Sequence, residues 1–385
     1  MKIYRWKLAI YINNITWHDV MEPYYTPVTL PLTTIDWGTH TTLIGKANIA
    51  LGEYNGVLRG IINPLLLLAP LNLREAIISS RIEGTQTTME EVMEFTADDS
   101  QSVYSERQKN AQEVLNYCTA MGAAIDSLES RPLCINTIRD THRVLLTSVR
   151  GASKNPGEIR TEPNWIGPEG CTIDQAYFVP PEPSSIWDAL TNWDDYLHKE
   201  DRDPLIQLAI LKAQFELIHP FNDGNGRIGR MLVPLILYYK GLLSSPTFYI
   251  SSYLEQHDKE YRERLRAISR DDDWNGWISF FLEAISEQAK ENIDKAQAIL
   301  DLYNEMKQLI PQIMSTKHHI PIIDTIFSAT LINSNYFSER SGIPRTTVVL
   351  ILQKLTENEI LSVYRESSGR RGALYVFPRL LEITK

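Results

Sequence analysis

The sequence contains no uninterrupted hydrophobic run that approaches the ~20 residues needed to span a bilayer. The longest apolar stretch, 61–71, is broken by Asn63, Pro64 and Pro70. The apolar stretch near the N-terminus, 8–12, is too short for a signal peptide, and no small-residue cleavage site follows it. These absences predict an intracellular, cytoplasmic protein with no membrane partner.

Cysteine is also scarce, since the chain has only Cys118, Cys134 and Cys171. An odd and widely spaced set excludes a disulfide framework, and there is no CxxC metal pair. Low-complexity segments and internal repeats are lacking as well. The 385 residues, of which 43% are hydrophobic, therefore fit an ordinary globular protein of two or three domains, at roughly 100–200 residues each.

Positive charge is in deficit. The formal net charge is −10, which argues against blanket nucleic-acid binding. Residues 317–385 nevertheless hold nine Lys/Arg and six Asp/Glu, a net charge of +3, so the rest of the chain carries −13. This distribution describes a mildly basic C-terminal module on an acidic body.

Helical spacing of apolar residues is abundant before residue 305. The spacing predicts helices over 45–58, 72–82, 106–128, 135–148, 185–198, 205–218, 227–240, 258–269 and 275–305. Residues 1–44 show no clear period and are interpreted as an irregular arm. The turn-rich stretch 150–184 is too long for a simple connection and is therefore expected to be functional or disordered, while Tyr177 and Phe178 within it argue that it packs.

The C-terminal segment has a different pattern. Short helices are predicted at 336–340 and 345–358, followed by alternating strands at 361–364 and 373–377 around a turn at 367–369. Helix, turn, helix and hairpin in this order predict a winged helix-turn-helix.

Chemistry-bearing residues are concentrated in 219–230, which reads His-Pro-Phe-Asn-Asp-Gly-Asn-Gly-Arg-Ile-Gly-Arg. Pro220 disfavours helix in the residue before it, so the preceding apolar helix is expected to end at His219. A second apolar helix begins after Gly226. The small residues between the two helices allow backbone N–H groups to converge into an anion-binding nest at a helix N-terminus, where the partial charge is positive.

The side chains of this segment extend the same argument. Arg227 and Arg230 lie three residues apart on one helix, so both can reach one anion. Asp223 offers one hard oxygen ligand, which suits Mg²⁺ shared with substrate phosphates, and the ordinary pKa of His219 suits a general base. Each feature alone is more often structural, but together they predict a phosphoryl or nucleotidyl transfer site.

Three glycines of the segment also spell G-x-G-x-x-G, namely Gly224, Gly226 and Gly229. A dinucleotide-binding fingerprint needs a preceding strand and an acidic residue about 20 positions further on. A long helix precedes the glycines instead, and 248–249 are aromatic. The dinucleotide interpretation is therefore rejected, and the sequence also has no GxxxxGK[ST] P-loop.

The segment 219–230 resembles the motif HPFx[D/E]GNGRxxR of the Fic family of nucleotidyl transferases, and the match is complete. Residues 158–160 and 165–166 resemble the lead-in of that family, and 177–181 resemble its flap. Ser-Ser-Arg-Ile-Glu-Gly at 79–84 resembles [S/T]xxxE[G/N], the motif of the subgroup with an inhibitory helix. The resemblance covers roughly residues 30–385.

The resemblance implies a mainly α fold, in which a Fic helical bundle with a small β-hairpin flap is joined to a C-terminal winged helix-turn-helix domain. The implied division is an N-terminal arm and inhibitory-helix region at 1–105, a Fic catalytic domain at 106–305 and a winged-helix domain at 317–385.

The implied reaction transfers AMP from ATP to a Tyr, Thr or Ser hydroxyl of a target protein, including this protein itself, with His219 as the catalytic base and Mg²⁺ on Asp223. The implied ATP-binding residues are Glu83, Asp223, Gly224, Asn225, Gly226, Arg227, Ile228, Gly229, Arg230 and Tyr261. Asn225 would add a side-chain donor to the phosphates. For Tyr261, packing on adenine and an ordinary core position both stay open.

Two further roles follow from the resemblance. The flap residues Thr172, Tyr177, Phe178 and Val179 would present an unpaired backbone edge to the target. Ser79, Glu83 and Gly84 would be inhibitory, because Glu83 would reach Arg230 in place of the γ-phosphate. As a bare sequence feature, Glu83 could equally form a local ion pair with Arg74 or Arg81.

Alternatives stay open at this point. A Fic site could transfer UMP, phosphocholine or phosphate, or could remove AMP hydrolytically. A non-enzymatic alternative is a winged-helix regulator with a nucleotide-sensing domain. In that case the phosphates of DNA would meet Arg345, Thr346, Thr347, Lys354, Arg365, Arg370 and Arg371. The winged helix could also be a packing or dimerisation module, and a homodimer is suggested by the family analogy only.

Overall fold

The computed structural model is mainly α-helical. The structure describes residues 7–8, 19–20, 24–97, 105–147, 150–168, 170–368 and 372–385. Arg370 and Arg371, which were predicted to contact DNA, lie outside the described residues, as does most of the arm before residue 24.

Helices account for most of the body, and their bounds are as follows: α1 Trp37–Gly60, α2 Pro64–Leu67, α3 Ala69–Ile82, α4 Met89–Ala97, α5 Glu106–Leu128, α6 Ile135–Leu145, α7 Ile186–His198, α8 Pro204–Ile218, α9 Asn225–Tyr239, α10 Ser251–Gln256, α11 Asp258–Asp271 and α12 Trp274–Ile313. The predicted helices are therefore confirmed, with α12 extending beyond the predicted end at 305. Three helices of the body, α2, α4 and α10, had not been predicted.

Helix α8 forms the centre of the body. Its residues Leu205–Ile218 are all buried, as expected of a helix that is apolar on every side. Two tryptophans pack around it and donate to its backbone: Trp193 of α7 to the Leu211 carbonyl at 2.7 Å and Trp277 of α12 to the Ala209 carbonyl at 2.8 Å. The C-terminal end of α8, where the motif begins, is therefore fixed by its neighbours.

The first long helix corrects the prediction of an irregular arm up to residue 44. α1 begins at Trp37, because the side chain of Asp36 caps it by accepting hydrogen bonds from the backbone N–H groups of Gly38 and Thr39. Residues 24–36 are irregular, as predicted. The apolar spacing of this first turn is too weak to reveal the helix, and the cap alone marks where it starts.

The C-terminal segment contains α13 His319–Ser328, β3 Leu331–Ile332, α14 Ser334–Ser341, α15 Arg345–Glu357, β4 Ser362–Arg365, β5 Leu374–Val376 and α16 Pro378–Thr384. The strands form an antiparallel sheet in the order β3-β5-β4. This arrangement has the element order of the predicted winged helix. A further pair, β1 Lys7–Leu8 and β2 Asp19–Val20, lies near the N-terminus.

The C-terminal segment packs on the body. α13 and α16 contact α3, and the hydroxyl of Tyr364 in β4 donates to Glu94 of α4 at 2.8 Å. Arg379 of α16 forms a bidentate ion pair with Glu305 of α12 at 2.6 and 2.7 Å. The division into three domains stays a prediction.

Within the described ranges, no helix combines the length and the apolar composition that crossing a membrane requires.

Candidate active site

The loop between α8 and α9 takes its shape from two residues in the left-handed region. His219 ends α8 with φ 49°, and its backbone N–H donates to the Phe215 carbonyl at 3.1 Å. Gly224 precedes α9 with φ 77°, a conformation that favours glycine. The predicted helix end at His219 is therefore confirmed.

Asn225 holds the loop closed from inside. Its side-chain oxygen accepts a hydrogen bond from the Phe221 backbone N–H at 2.9 Å, and its amide group donates to the Phe221 carbonyl at 2.8 Å. The side chain of Asn225, predicted as a phosphate donor, is thus directed back to the loop. Its contribution here is to the shape of the site.

His142 of α6 holds the loop from outside. Its ring stacks on Phe221 with centroids 3.7 Å apart, and its Nδ1 accepts a hydrogen bond from the Gly157 backbone N–H at 2.8 Å. Since Nδ1 accepts, Nε2 carries the proton and donates to the Asp223 carbonyl at 2.9 Å. Burial lowers the pKa of His142 to about 4, so the ring is neutral at neutral pH.

Arg160 and Asn164 provide a second set of supports. The guanidinium of Arg160 is buried and donates to three carbonyl oxygens, those of His219 at 2.9 Å, Glu162 at 3.2 Å and Pro181 at 2.6 Å. Asn164 donates to the Phe221 carbonyl at 3.1 Å. Sequence reasoning missed the supporting roles of His142 and Asn164, and noted Arg160 only as part of the lead-in.

His219 has the protonation pattern of a base. Its Nδ1 lies 3.2 Å from the Glu216 carbonyl oxygen. Because a carbonyl only accepts, the proton is on Nδ1 and the lone pair is on Nε2. Burial lowers the pKa of the ring, and the hydrogen bond to Glu216 acts in the opposite direction. A neutral His219 can therefore accept a proton at neutral pH.

The first turn of α9 offers donors to an anion. No side chain in the described part of the chain caps this helix, and its first N–H groups have no partner within the helix. The Nε atom of Arg227 is buried and has no hydrogen-bond partner among the described residues. An unpaired buried donor on a cationic group beside an uncapped helix N-terminus is suited to a phosphate.

Asp223 lies at the edge of this turn. Its carboxylate is 43% exposed and 3.5 Å from the Nη2 atom of Arg227, and one of its oxygens accepts from the Gly224 backbone N–H at 2.6 Å. The other oxygen can serve a cation. This single carboxylate would suit Mg²⁺ shared with phosphate oxygens, because Mg²⁺ is usually held through one or two carboxylates and keeps several waters.

Arg230, one turn further on, is engaged through Nε and Nη2. Its Nε donates to the Ser79 hydroxyl and its Nη2 donates to the Ser79 carbonyl, both at 2.8 Å. The same Nη2 also lies 2.7 Å from the Glu83 carboxylate. Arg230 is 1% exposed, whereas the side chain of Glu83 is 38% exposed. Ser79 and Glu83 therefore bind Arg230 together from the end of α3.

The electrostatics of this pair favour its charged form. Burial would raise the pKa of Glu83, but the charge and the hydrogen bond of Arg230 outweigh burial and hold the pKa below its ordinary value. The pKa of Arg230 is raised in turn, against the effect of burial. A Cβ at Gly226 would lie 2.1 Å from the Glu83 carboxylate, so the carboxylate rests against the first turn of α9.

Other predicted ATP-binding residues lie in the core. Tyr261 is 5% exposed, packs near Trp277, and its hydroxyl bonds to Lys212 and to the Glu216 carboxylate at 2.8–2.9 Å. These contacts place Tyr261 in the core, which was one of the two alternatives that the sequence left open for it. The side chain of Ile228 is buried, and Gly229 faces Glu216, whose carboxylate would lie 2.6 Å from a Cβ.

The flap is less regular than a hairpin. Ile166 and Phe178 form an isolated antiparallel bridge, and Thr172 begins a short 3₁₀ turn over Ile173–Gln175. Tyr177 is 59% exposed, with the guanidinium of Arg266 4.7 Å from its ring. The carbonyl of Val179 accepts a hydrogen bond from the backbone N–H of Tyr25 at 2.9 Å. The edge predicted to be unpaired is therefore paired at Val179.

The loop and the turn thus combine unpaired backbone N–H groups, the unpaired Nε of Arg227 and a neutral His219. Comparison with known proteins identifies the family. The Fic/DOC family N-terminal model matches residues 41–126, and the Fic/DOC family model matches residues 132–237. The chain belongs to the Fic/DOC family.

Curated relatives match over a limited part. Protein adenylyltransferase fic-1 of Caenorhabditis briggsae is 30% identical over 124 residues, which are 31% of this chain and 22% of that protein. A probable protein adenylyltransferase of Aquifex aeolicus is 39% identical over 70 residues, 18% of this chain and 22% of that protein. The chain thus spans 22% of the length of each of these two relatives.

A solved structure supports the fold over a longer range. The Fic family protein from Desulfovibrio desulfuricans G20 has a TM-score of 0.56 and 20% identity, and the match covers 92% of this chain and 98% of that one. At this identity the likeness shows the fold alone.

Proposed function

We propose that this protein is a protein adenylyltransferase that transfers AMP from ATP to a protein hydroxyl and that Glu83 inhibits it. The observation that carries the proposal is the combination of two features in one loop and helix start. His219 has a free Nε2 lone pair, and the uncapped first turn of α9 includes the unpaired Nε of Arg227. The names of the curated relatives support the choice of reaction.

In the proposed reaction, His219 takes the proton of the target hydroxyl, and the oxygen attacks the α-phosphorus of ATP as pyrophosphate leaves. The backbone N–H groups of Gly226 and Arg227 and the Arg227 guanidinium stabilise charge that builds on the phosphate oxygens. Mg²⁺ bound through Asp223 would neutralise part of that charge. The supports at Phe221 and Asp223 keep these donors in place before ATP arrives.

The inhibitory part of the proposal rests on competition for Arg230. Its guanidinium cannot serve a carboxylate and a γ-phosphate bidentately at the same time. While Glu83 occupies it, ATP binds with a misaligned α-phosphate and in-line attack fails. The short contact between the two groups and the lowered pKa of Glu83 support this proposal.

The test is incubation with α-labelled ATP and Mg²⁺ followed by electrophoresis and mass spectrometry. We expect strong self-labelling by Glu83→Gly, weak labelling by wild type, and none by Glu83→Gly with His219→Ala. Glu129→Gly is a matched control, because Glu129 also follows the end of a helix but is exposed. A mass shift of phosphate, or no labelling by Glu83→Gly, would contradict the proposed reaction.

A further inference from the structure

The flap edge already holds a segment of this same chain. The backbone N–H of Tyr25 donates to the Val179 carbonyl, and the ring of Tyr25 lies 5.7 Å from that of Phe178. Main-chain pairing to a strand edge is the mode of binding expected for a target segment. The segment 24–30 therefore lies on the flap in the manner of a target.

The segment is also anchored further along, so its register is fixed. The Val28 carbonyl accepts a hydrogen bond from Gln214 of α8 at 2.9 Å. The backbone N–H and carbonyl of Leu30 both bond to the side chain of Asn192, at 2.7 and 3.0 Å. These anchors hold Tyr24 and Tyr25 at one place on the flap, whereas a free tail would slide along it.

The two tyrosines differ in their surroundings. The ring of Tyr25 packs on Phe178, and burial raises the pKa of its phenol. Tyr24 is partly exposed. Arg160 donates both to the carbonyl of Pro181, two residues beyond the flap residue that pairs with Tyr25, and to the carbonyl of His219. The paired segment therefore lies near the end of α8.

We infer that Tyr24 is a self-modification site, whose phenol receives AMP within the same molecule; this inference rests on the proposed function. His219 takes the phenol proton, the phenolate oxygen bonds to the α-phosphorus of ATP, and the bond from that phosphorus to the bridging oxygen breaks as pyrophosphate leaves. The segment supplies to Tyr24 the flap pairing that a separate target would have to form on binding.

Peptide mass spectrometry of self-labelled protein tests the assignment. In the Glu83→Gly background with ATP and Mg²⁺, we expect AMP on the peptide that carries Tyr24, and at least a tenfold loss of total label with Tyr24→Phe. Tyr238→Phe is the matched control, since Tyr238 is an exposed tyrosine outside the flap, and it should keep the label. ATP affinity should be the same in the Tyr24→Phe variant, which shows that the fold is intact.

A mixing experiment tests whether the transfer is intramolecular. Glu83→Gly with Tyr24→Phe is the catalyst, and a size-tagged His219→Ala chain is the acceptor. We expect no AMP on Tyr24 of the acceptor, and a Tyr24 labelling rate constant in Glu83→Gly that does not depend on protein concentration.

The outcomes separate the inference from the proposed function. Label on other residues with none on Tyr24, or label on Tyr24 of the acceptor chain, overturns the inference and leaves adenylyl transfer standing. The absence of any label in Glu83→Gly overturns both.

Discussion

The loop 219–224 and the turn 225–230 that follows it differ in how their polar groups are satisfied. The loop is tied from several sides: His142 donates to the Asp223 carbonyl, Arg160 to the His219 carbonyl and Asn225 to the Phe221 carbonyl. The turn keeps donors free at its N-terminus and at Arg227.

This difference indicates which groups would contribute most to the binding free energy of a ligand. Groups that set the shape of the site are satisfied within the protein, so binding does not have to order them. Of the groups that would face phosphate, the first N–H groups of α9 and the Nε of Arg227 are unpaired, whereas Arg230 is occupied by Glu83. Each prediction below changes one side of this contrast.

The largest effect is expected from His219→Ala. Removal of a general base costs ~10²–10⁴ in rate, whereas ATP affinity should change little because other residues bind the phosphates. Labelling rates and ATP titration of the two proteins measure this split. Transfer within a factor of a few of wild type would show that His219 is not the base.

Release of Arg230 from its carboxylate should activate the protein. Displacing a charged hydrogen-bonded pair costs ~1.5–3 kcal/mol, which corresponds to roughly 10–150-fold in rate. We therefore expect Glu83→Gly to raise the self-labelling rate at saturating ATP by at least tenfold, and Glu83→Gly with Arg230→Ala to abolish the gain. A single variant no faster than wild type would reduce Glu83 to an ordinary ion-pair partner.

Removal of the Arg227 guanidinium, whose Nε is unpaired, should weaken nucleotide binding. Arg227→Met deletes a charged donor worth ~1.5–3 kcal/mol, so the Kd for ATP should rise by roughly 10–150-fold in the Glu83→Gly background. Arg264→Met is the control, because Arg264 is a partly exposed arginine already paired with Glu260. Equal affinities of the two variants would mean that Arg227 does not bind phosphate.

The burial of His142, which holds the loop 219–224, should make the stability of the protein depend on pH. The pKa of His142 is about 4 in the folded protein, below its ordinary value of about 6.5. As the pH falls through this window, His142 is protonated in the unfolded chain before it is protonated in the folded protein. The free energy of unfolding therefore decreases by up to about 3 kcal/mol. Urea unfolding from pH 7 to pH 4 should show a steeper loss for wild type than for His142→Gln. Parallel profiles would contradict a neutral buried ring.

The smallest effect on transfer is expected from the C-terminal segment. Charge reversal of Arg345, Arg370 and Arg371 together should remove whatever affinity for duplex DNA the intact chain shows, and leave self-labelling within about twofold. Arg345 is exposed on α15, which supports the second expectation. A tenfold fall in labelling would mean that the contacts of α13 and α16 with α3 couple this segment to Glu83.

The sequence could predict those features that local rules determine. Pro220 marked the end of α8 at His219, and a spacing of four residues put Ser79 and Glu83 on one face of α3, where both contact Arg230. The helical pattern also located most of the body.

The contacts that fix the loop could not be predicted in this way. His142 lies 81 residues from the carbonyl that it bonds to, and the pairing of Tyr25 with Val179 joins two irregular segments. Periodicity relates residues a few positions apart, so it carries no information on such partners. The core position of Tyr261 likewise depends on Lys212 and Glu216 of another helix.

The two residues of the ion pair between Glu83 and Arg230 are synthesised in a fixed order. The carboxylate precedes the guanidinium by 147 residues, and a ribosome makes the chain from its N-terminus at about 5–20 residues per second. Glu83 has therefore left the ribosome before Arg230 is made. Under the proposed function, the inhibitory Glu83 is therefore already present when synthesis of the motif is completed. Each new molecule can be inhibited from the start.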